Sequence, residues 1–165
     1  ATCFESAYHA GLRRKLGLAM ERDGDAALAG DLLSLMTENQ ADFTLTFRHL
    51  ADAAAAPEGD EAVRNLFVNP QAYDGWAARW RERLAQEPQD PAERRTAMRA
   101  VNPAFIPRNH RVEAMIQAAV QRDEFVPFEE LLRVLSRPYE DQPEFARYAV
   151  PPEAHERVRA TFCGT

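Results

Sequence analysis

The sequence predicts an all-α fold, and composition carries most of that expectation. The 165 residues include 29 Ala and 14 Leu, against 18 Val, Ile and Thr together. Strong helix formers therefore dominate, and the β-branched residues that favour strands are scarce. Apolar residues also recur at three- and four-residue spacing in segment after segment, the period of a helix with one buried face. Helix-start signals, above all Asn or Asp followed by Pro, separate those segments. The expected architecture is an irregular multi-helix domain over residues 1–135. A Pro- and aromatic-rich extended tail follows over 136–165.

The elements follow in order. Phe4, Tyr8, Leu12 and Leu16 stripe a first helix, which Gly17 weakens. The start is expected to be a cut rather than a native end. Asp23-Gly24-Asp25 reads as a turn, with Asp25 as N-cap of a second helix carrying Leu28, Leu32, Leu35 and Met36. Asp42 caps a third helix, striped by Phe43, Phe47 and Leu50. After the polar turn Glu58 to Asp60, a short helix is expected over Glu61 to Phe67. Asn69-Pro70 starts the next, with Tyr73, Trp76, Trp80 and Leu84 on one face. These aromatics read as core anchors rather than ligand platforms. Asp90-Pro91 opens a helix to about Ala100.

Pro103 and Pro107 make Val101 to Arg108 an ordered turn. Asn109 is expected to cap a helix with Val112, Met115, Ile116, Ala119 and Val120. Pro127 opens the last clear helix, with Phe128, Leu131, Leu132 and Leu135. In the tail, Tyr139, Phe145, Tyr148 and Phe162 lie between prolines and are expected to rest on the helical body.

Length and charge narrow the function. A chain of 18.6 kDa can bury a real core without a metal or a disulfide. Net charge is -6 and the pI about 5.3, which argues against a general nucleic-acid binder. No apolar run approaches the ~20 residues of a membrane helix. Cys3 and Cys163 stand at opposite ends, with no paired metal spacing, and fit a reducing compartment. Of the basic residues 19 are Arg and one is Lys15, which we read as the mark of a GC-rich bacterial genome. A bacterial cytoplasmic location is the expectation.

Four clusters can carry chemistry. Glu38 and Asp42 flank Asn39-Gln40-Ala41 and could bind a cation or perform acid/base work, although an interhelix turn capped by Asp42 explains the spacing without a ligand. Arg108, His110 and Arg111 stand at a helix start, where basic groups beside free N–H donors can hold a phosphate or a carboxylate, or make an interdomain contact. The plain alternative is a cap with ion-paired arginines. Tyr139-Glu140-Asp141-Gln142-Pro143-Glu144 is an acidic turn that could form a partner surface; the plain alternative is a solvated turn pinned by Tyr139 and Phe145. Cys163 is an accessible thiol or a leftover one. No Gly-rich phosphate loop, nucleophile elbow or His pair at metal spacing is present.

Longer motifs then point to a family. Leu35-Met36-Thr37-Glu38-Asn39-Gln40-Ala41-Asp42-Phe43-Thr44, followed by Phe47-Arg48, resembles the selenoprotein O family, also called YdiU. So do Val101-Asn102-Pro103-Ala104-Phe105-Ile106-Pro107-Arg108-Asn109-His110 and Leu135-Ser136-Arg137-Pro138-Tyr139 with Gln142-Pro143-Glu144-Phe145. The Tyr148 to Pro152 stretch and Phe162-Cys163-Gly164-Thr165 resemble it too. The likeness implies the C-terminal portion of a kinase-like pseudokinase that moves AMP from ATP to protein Ser, Thr or Tyr hydroxyls with Mg²⁺. The ATP and metal residues of such a protein lie upstream, so this chain alone is expected to hold no catalytic residue, no metal and no cofactor.

The expected partners are the upstream kinase-like domain and, for the parent enzyme, its protein substrates; no nucleic acid or membrane is implied. The isolated chain could form a homodimer. The family carries selenocysteine or cysteine third from the end, which makes Cys163 a redox candidate. Its implied partner is a thiol upstream, with Cys3 a weaker one. The alternative reading is an autonomous helical protein-interaction module.

Overall fold

A computed structural model describes residues 2–158. Among them every regular element is helical and none is a strand. The α-helices are α1 (Cys3–Lys15), α2 (Asp25–Glu38), α3 (Phe43–Ala53), α4 (Asp60–Arg64), α5 (Pro70–Leu84), α6 (Pro91–Arg99), α7 (Asn109–Arg122) and α8 (Val126–Leu135). Two 3-10 segments, Pro57–Gly59 and Pro143–Tyr148, complete them. The chain divides into two compact units, one up to Asn102 and one from Pro103 on. The division falls inside the proline-rich Val101 to Arg108 turn, while Ser136 is the C-cap of α8.

The first unit is organised around α5. Tyr73, Trp76, Trp80 and Leu84 are all buried, in one core with Leu16, Leu32, Phe47 and Leu50. The indoles also act as ties. Trp76 Nε1 donates to the Leu28 carbonyl of α2 at 2.9 Å, and Trp80 Nε1 to the Leu16 carbonyl after α1 at 3.0 Å. The two rings stack with centroids 5.3 Å apart. Burial supplies most of this stabilisation and the ring geometry adds to it.

The sequence-read caps at Asp42, Asn69 and Asp90 are all present. Their carboxylate or amide oxygens accept from Leu45 N, Gln71 N, and Ala92 N and Glu93 N respectively. A capping box of Thr2 and Glu5 starts α1.

Gly17 does more than weaken α1. It ends the helix in a left-handed conformation, φ +74°. Leu18 N then donates to Arg13 O and Gly17 N to Arg14 O, the paired bonds of a Schellman motif. Asp25 is not the cap of α2. Gly24 holds that position, at φ +92°, and Asp25 is the first helical residue. Its carboxylate is buried because a distant cation requires it. Arg83 Nε donates to Asp25 Oδ1 at 2.7 Å, and Arg83 also pairs with buried Glu87 at 2.7 Å. Glu87 in turn accepts from Ala19 N and Met20 N. The 18–25 loop is thus clamped to the end of α5.

Asn102 is fully buried. Its side chain accepts from Lys15 Nζ and donates to Lys15 O, while its carbonyl accepts from Arg48. The short helix is also shifted from the expected Glu61 to Phe67. It covers Asp60–Arg64, with Tyr73 and Arg81 both donating to the Asp60 carboxylate.

The second unit is built on α7, α8 and the Pro143–Tyr148 segment, around Phe105, Leu131, Val134, Phe145 and Tyr148. Several expected stripe residues face outward. On α8 the buried positions are Leu131 and Val134, whereas Phe128 and Leu132 are exposed, Leu132 at 61%. On α7 Ala118 is buried, while Ile116 and Val120 are exposed, Val120 at 79%. Both helices carry apolar residues around more than one face, so periodicity alone could not choose the inward one.

Asn109 is not a cap either, because Arg108 takes that position and Asn109 begins the helix. In the tail, Phe145 and Tyr148 are buried, but Tyr139 is exposed. The acidic turn is held instead by Gln142, whose amide donates to Val134 O and Arg137 O. In the first unit Phe4, Tyr8 and Phe43 are likewise exposed at their stripe ends. Cys3 is exposed, and Cys163 and Phe162 lie outside the described residues.

Candidate functional site

The sequence-read cluster Arg108, His110 and Arg111 comes together at the start of α7. The turn before it is pinned by backbone bonds, since Ala104 N and Phe105 N both donate to Pro138 O, at 2.8 and 3.1 Å. Pro107 then sets the approach, and Arg108 sits extended at the cap, φ -68° and ψ 129°. Among the described residues no side chain caps the helix. The Arg108 carbonyl accepts from Arg111 N and Val112 N, while an arginine side chain cannot accept from the amides of Asn109 and His110 before them.

Arg108 and His110 are buried, and both line a cleft of about 400 Å³. Its other walls include Ile106, Pro152, Glu156 and Arg157. Glu156 accepts from Glu153 N at 3.0 Å, and its other oxygen stands 4.0 Å from Arg111. His110 is 7% exposed, and its Nε2 is buried with no hydrogen-bond partner among the described residues.

Burial pushes the His110 pKa below the ordinary histidine value, and the Arg111 and Arg108 cations push the same way against the opposing pull of Glu156. The imidazole is thus held toward its neutral form and can offer one donor and one acceptor. The hydrogen bond from Glu153, helped by nearby cations, lowers the Glu156 pKa. The arrangement can hold an oxyanion. Among the described residues it offers no nucleophile paired with a base.

A second polar cluster joins α8 to the tail of the same unit. Tyr148 donates to Glu130 at 2.7 Å, and Arg147 pairs with the same carboxylate. Those hydrogen bonds, that of Arg147 first, draw the Glu130 pKa down, while burial and the Glu130 contact raise that of Tyr148. Sequence reasoning missed this cluster, together with Glu156 and Arg157. Glu130 and Tyr148 sit at no recognisable spacing, and Glu156 lies far along the chain from His110.

The Glu38 to Asp42 segment is the capped turn between α2 and α3. Asp42 serves as the cap of α3, and Asn39 between them is committed to Leu35 O and Asn69 N. Among the described residues no three His, Cys, Asp or Glu are grouped to hold a metal ion.

Comparison with known proteins places these motifs in context. The family model described as "Protein adenylyltransferase SelO" matches residues 1–136. A "Protein nucleotidyltransferase YdiU" of Rhodopseudomonas palustris (strain BisB18) is 65% identical over 162 residues, covering 98% of this chain and 33% of the relative. The protein of the same name from Methylorubrum extorquens (strain PA1) is 65% identical over 168 residues, covering 98% and 34%. That of Bradyrhizobium diazoefficiens is 65% identical over 162 residues, covering 98% and 33%. The chain spans about a third of the length of these curated relatives.

Proposed function

The chain belongs to the protein adenylyltransferase SelO family, and from that premise we propose that it is the C-terminal helical portion of an enzyme that transfers AMP from ATP to protein hydroxyls. ATP and Mg²⁺ bind in the remainder of that protein, because phosphoryl-type chemistry needs a phosphate cradle and metal carboxylates. In this reading the chain buttresses the catalytic part and carries Cys163; a peroxide oxidises the Cys163 thiol to a sulfenic acid, being itself reduced to water or an alcohol, and a thiol of the catalytic part then displaces water to form a disulfide that couples redox state to transfer.

One observation carries the buttress role. The second unit turns Phe125, Val126, Phe128 and Leu132 outward beside its own buried core. Phe125, Phe128 and Leu132 follow one another at three- and four-residue spacing, and an exposed apolar stripe of that kind marks an interaction site; the remaining two-thirds of the relatives' length supplies the partner in cis. The isolated chain would cover the same face by self-association. The test mixes the 165-residue chain with the separately expressed remainder of its parent protein. A complex is expected, and Phe128→Ser with Leu132→Ser should abolish it. A complex that survives both changes would remove this face from the interface. If the chain instead captures unrelated proteins and never the remainder, the autonomous-module reading gains. Disulfide mapping of the oxidised full-length protein tests Cys163, and a thiol that is always free would end the redox role.

A further inference from the structure

We propose that the first half of α1 is a docking ledge, and that the polypeptide preceding residue 1 in the parent protein packs onto Phe4 and Tyr8. The proposal rests on the reading that this chain is the C-terminal portion of a longer enzyme. It adds a contact surface in the first unit to the α8 face of the second.

The ledge continues a core stripe. Phe4, Tyr8, Leu12 and Leu16 follow one another at four-residue spacing along α1 and its cap. Leu12 and Leu16 are buried in the core of the first unit, whereas Phe4 is 76% exposed and Tyr8 47%. Every residue from Thr2 to His9 is exposed, so two turns of the helix lack a buried face among the described residues. Such turns are marginal by themselves, because helices in proteins draw most of their stability from packing of one face. This stretch is nonetheless well built. The capping box of Thr2 and Glu5 closes its first turn, and the Phe4 and Tyr8 rings stack with centroids 6.2 Å apart. A capped helix start that displays a stacked aromatic pair is a surface ready for an apolar partner.

The charges beside the stripe agree with an apolar partner. Glu5 accepts from Thr2 N, Arg13 pairs with Glu21, and Lys15 donates to Val101 O and Asn102 Oδ1. These groups are already engaged inside the chain, and what the stripe leaves open is aromatic. The occupant follows from length and attachment. This chain accounts for about a third of its relatives, so two-thirds of their length lies outside it. The family match begins at residue 1, so α1 belongs to the region that the family model describes. In the parent, the preceding polypeptide is tethered to α1 by the chain itself, and a tether gives it a far higher effective concentration at Phe4 and Tyr8 than a separate molecule has.

The test is hydrogen exchange of the full-length parent, read by mass spectrometry over residues 2–10 of this chain. Exchange is expected to be at least about 100-fold slower than in an unstructured peptide. Phe4→Ser with Tyr8→Ser should speed it at least about tenfold. Both side chains lie outside the core, so the first unit should keep its fold. Phe4→Leu with Tyr8→Phe leaves the ledge apolar and should leave exchange slow. Exchange of the unaltered parent within about tenfold of the unstructured rate would overturn the proposal, as would slow exchange that the Ser pair leaves unchanged. Slow exchange that is lost on dilution would give the ledge to a second copy of the protein and overturn it too. The buttress reading is judged separately, by the complex that depends on Phe128 and Leu132. If that complex forms while residues 2–10 of the parent exchange fast, the buttress stands and the ledge falls. If residues 2–10 are slow and only the Ser pair at Phe4 and Tyr8 releases them, the ledge stands whatever the α8 face does.

Discussion

Replacing Gly17 by alanine should destabilise the chain through two separable effects. The backbone there is left-handed, φ +74°, a conformation that costs an L-residue with a Cβ about 1–2 kcal/mol. The new methyl also has no room. It would lie 2.7 Å from Met98 Sδ and 2.9 Å from Arg94 Cγ. Met98 is fully buried and Arg94 nearly so, so neither can swing into solvent, and overpacking of that kind costs about 1–3 kcal/mol. The total is about 2–5 kcal/mol, a large part of the ~5–15 kcal/mol that holds a typical domain.

Gly24 supplies the control. It is also left-handed, φ +92°, but a Cβ there meets nothing within 4 Å. Gly24→Ala should therefore show only the backbone strain, about 1–2 kcal/mol. Urea unfolding followed by circular dichroism at fixed pH measures both, provided the m-value stays constant. Equal losses in the two variants would refute the close-packing argument. A loss below about 0.5 kcal/mol for Gly17→Ala would refute the left-handed requirement as well.

Three further outcomes follow from the same geometry. Arg83→Leu leaves the buried Asp25 and Glu87 carboxylates without the cation between them, and should cost about 3–5 kcal/mol in urea unfolding; a change within about 0.5 kcal/mol would show that the clamp on the 18–25 loop is idle. Tyr148→Phe removes the bond to Glu130 and should cost about 1–2 kcal/mol, read as a shift in the unfolding midpoint; no shift would make that bond ornamental. Acid should also weaken the fold early. Burial lowers the pKa of both His49 and His110 in the folded chain, so the unfolded chain takes up those protons first. Stability is then complete above the ordinary histidine value of about 6.5 and falls as pH drops through it. The urea midpoint should fall between about pH 7.5 and 5.5, and His49→Gln with His110→Gln should flatten that slope; a rising midpoint would contradict the sign.

What could be read from the sequence was mostly local. Asn69-Pro70 and Asp90-Pro91 declare their helix starts because cap and first turn lie within four residues of each other. The Tyr73 to Leu84 face was legible because its opposite side is polar. Asp25 was misread because its partners, Arg83 and Glu87, are distant in the chain, and a tertiary ion pair outranked capping. Asn109 looked like a cap, yet the Pro107 turn places Arg108 there instead. The orientation of α8 was hidden for a different reason: Glu129, Glu130 and Arg133 mark its solvent side, but the apolar arc of Phe128, Leu131, Leu132 and Val134 is wider than the part that is buried, which is Leu131 and Val134. At the α7 cleft, Arg108, His110 and Arg111 were visible as a cluster. Glu156 and Arg157, which face it, reach it only through the fold of the tail.

The central claim is that AMP transfer belongs to the parent protein and that this chain supports it without catalysing it. The direct measurement is incorporation of label from α-phosphate-labelled ATP into protein. It compares the full-length parent, the parent lacking this chain, and the 165-residue chain alone. The account predicts incorporation by the full-length protein, reduced incorporation without the chain, and none by the chain alone. Transfer by the isolated chain, or transfer unchanged by its removal, would contradict it.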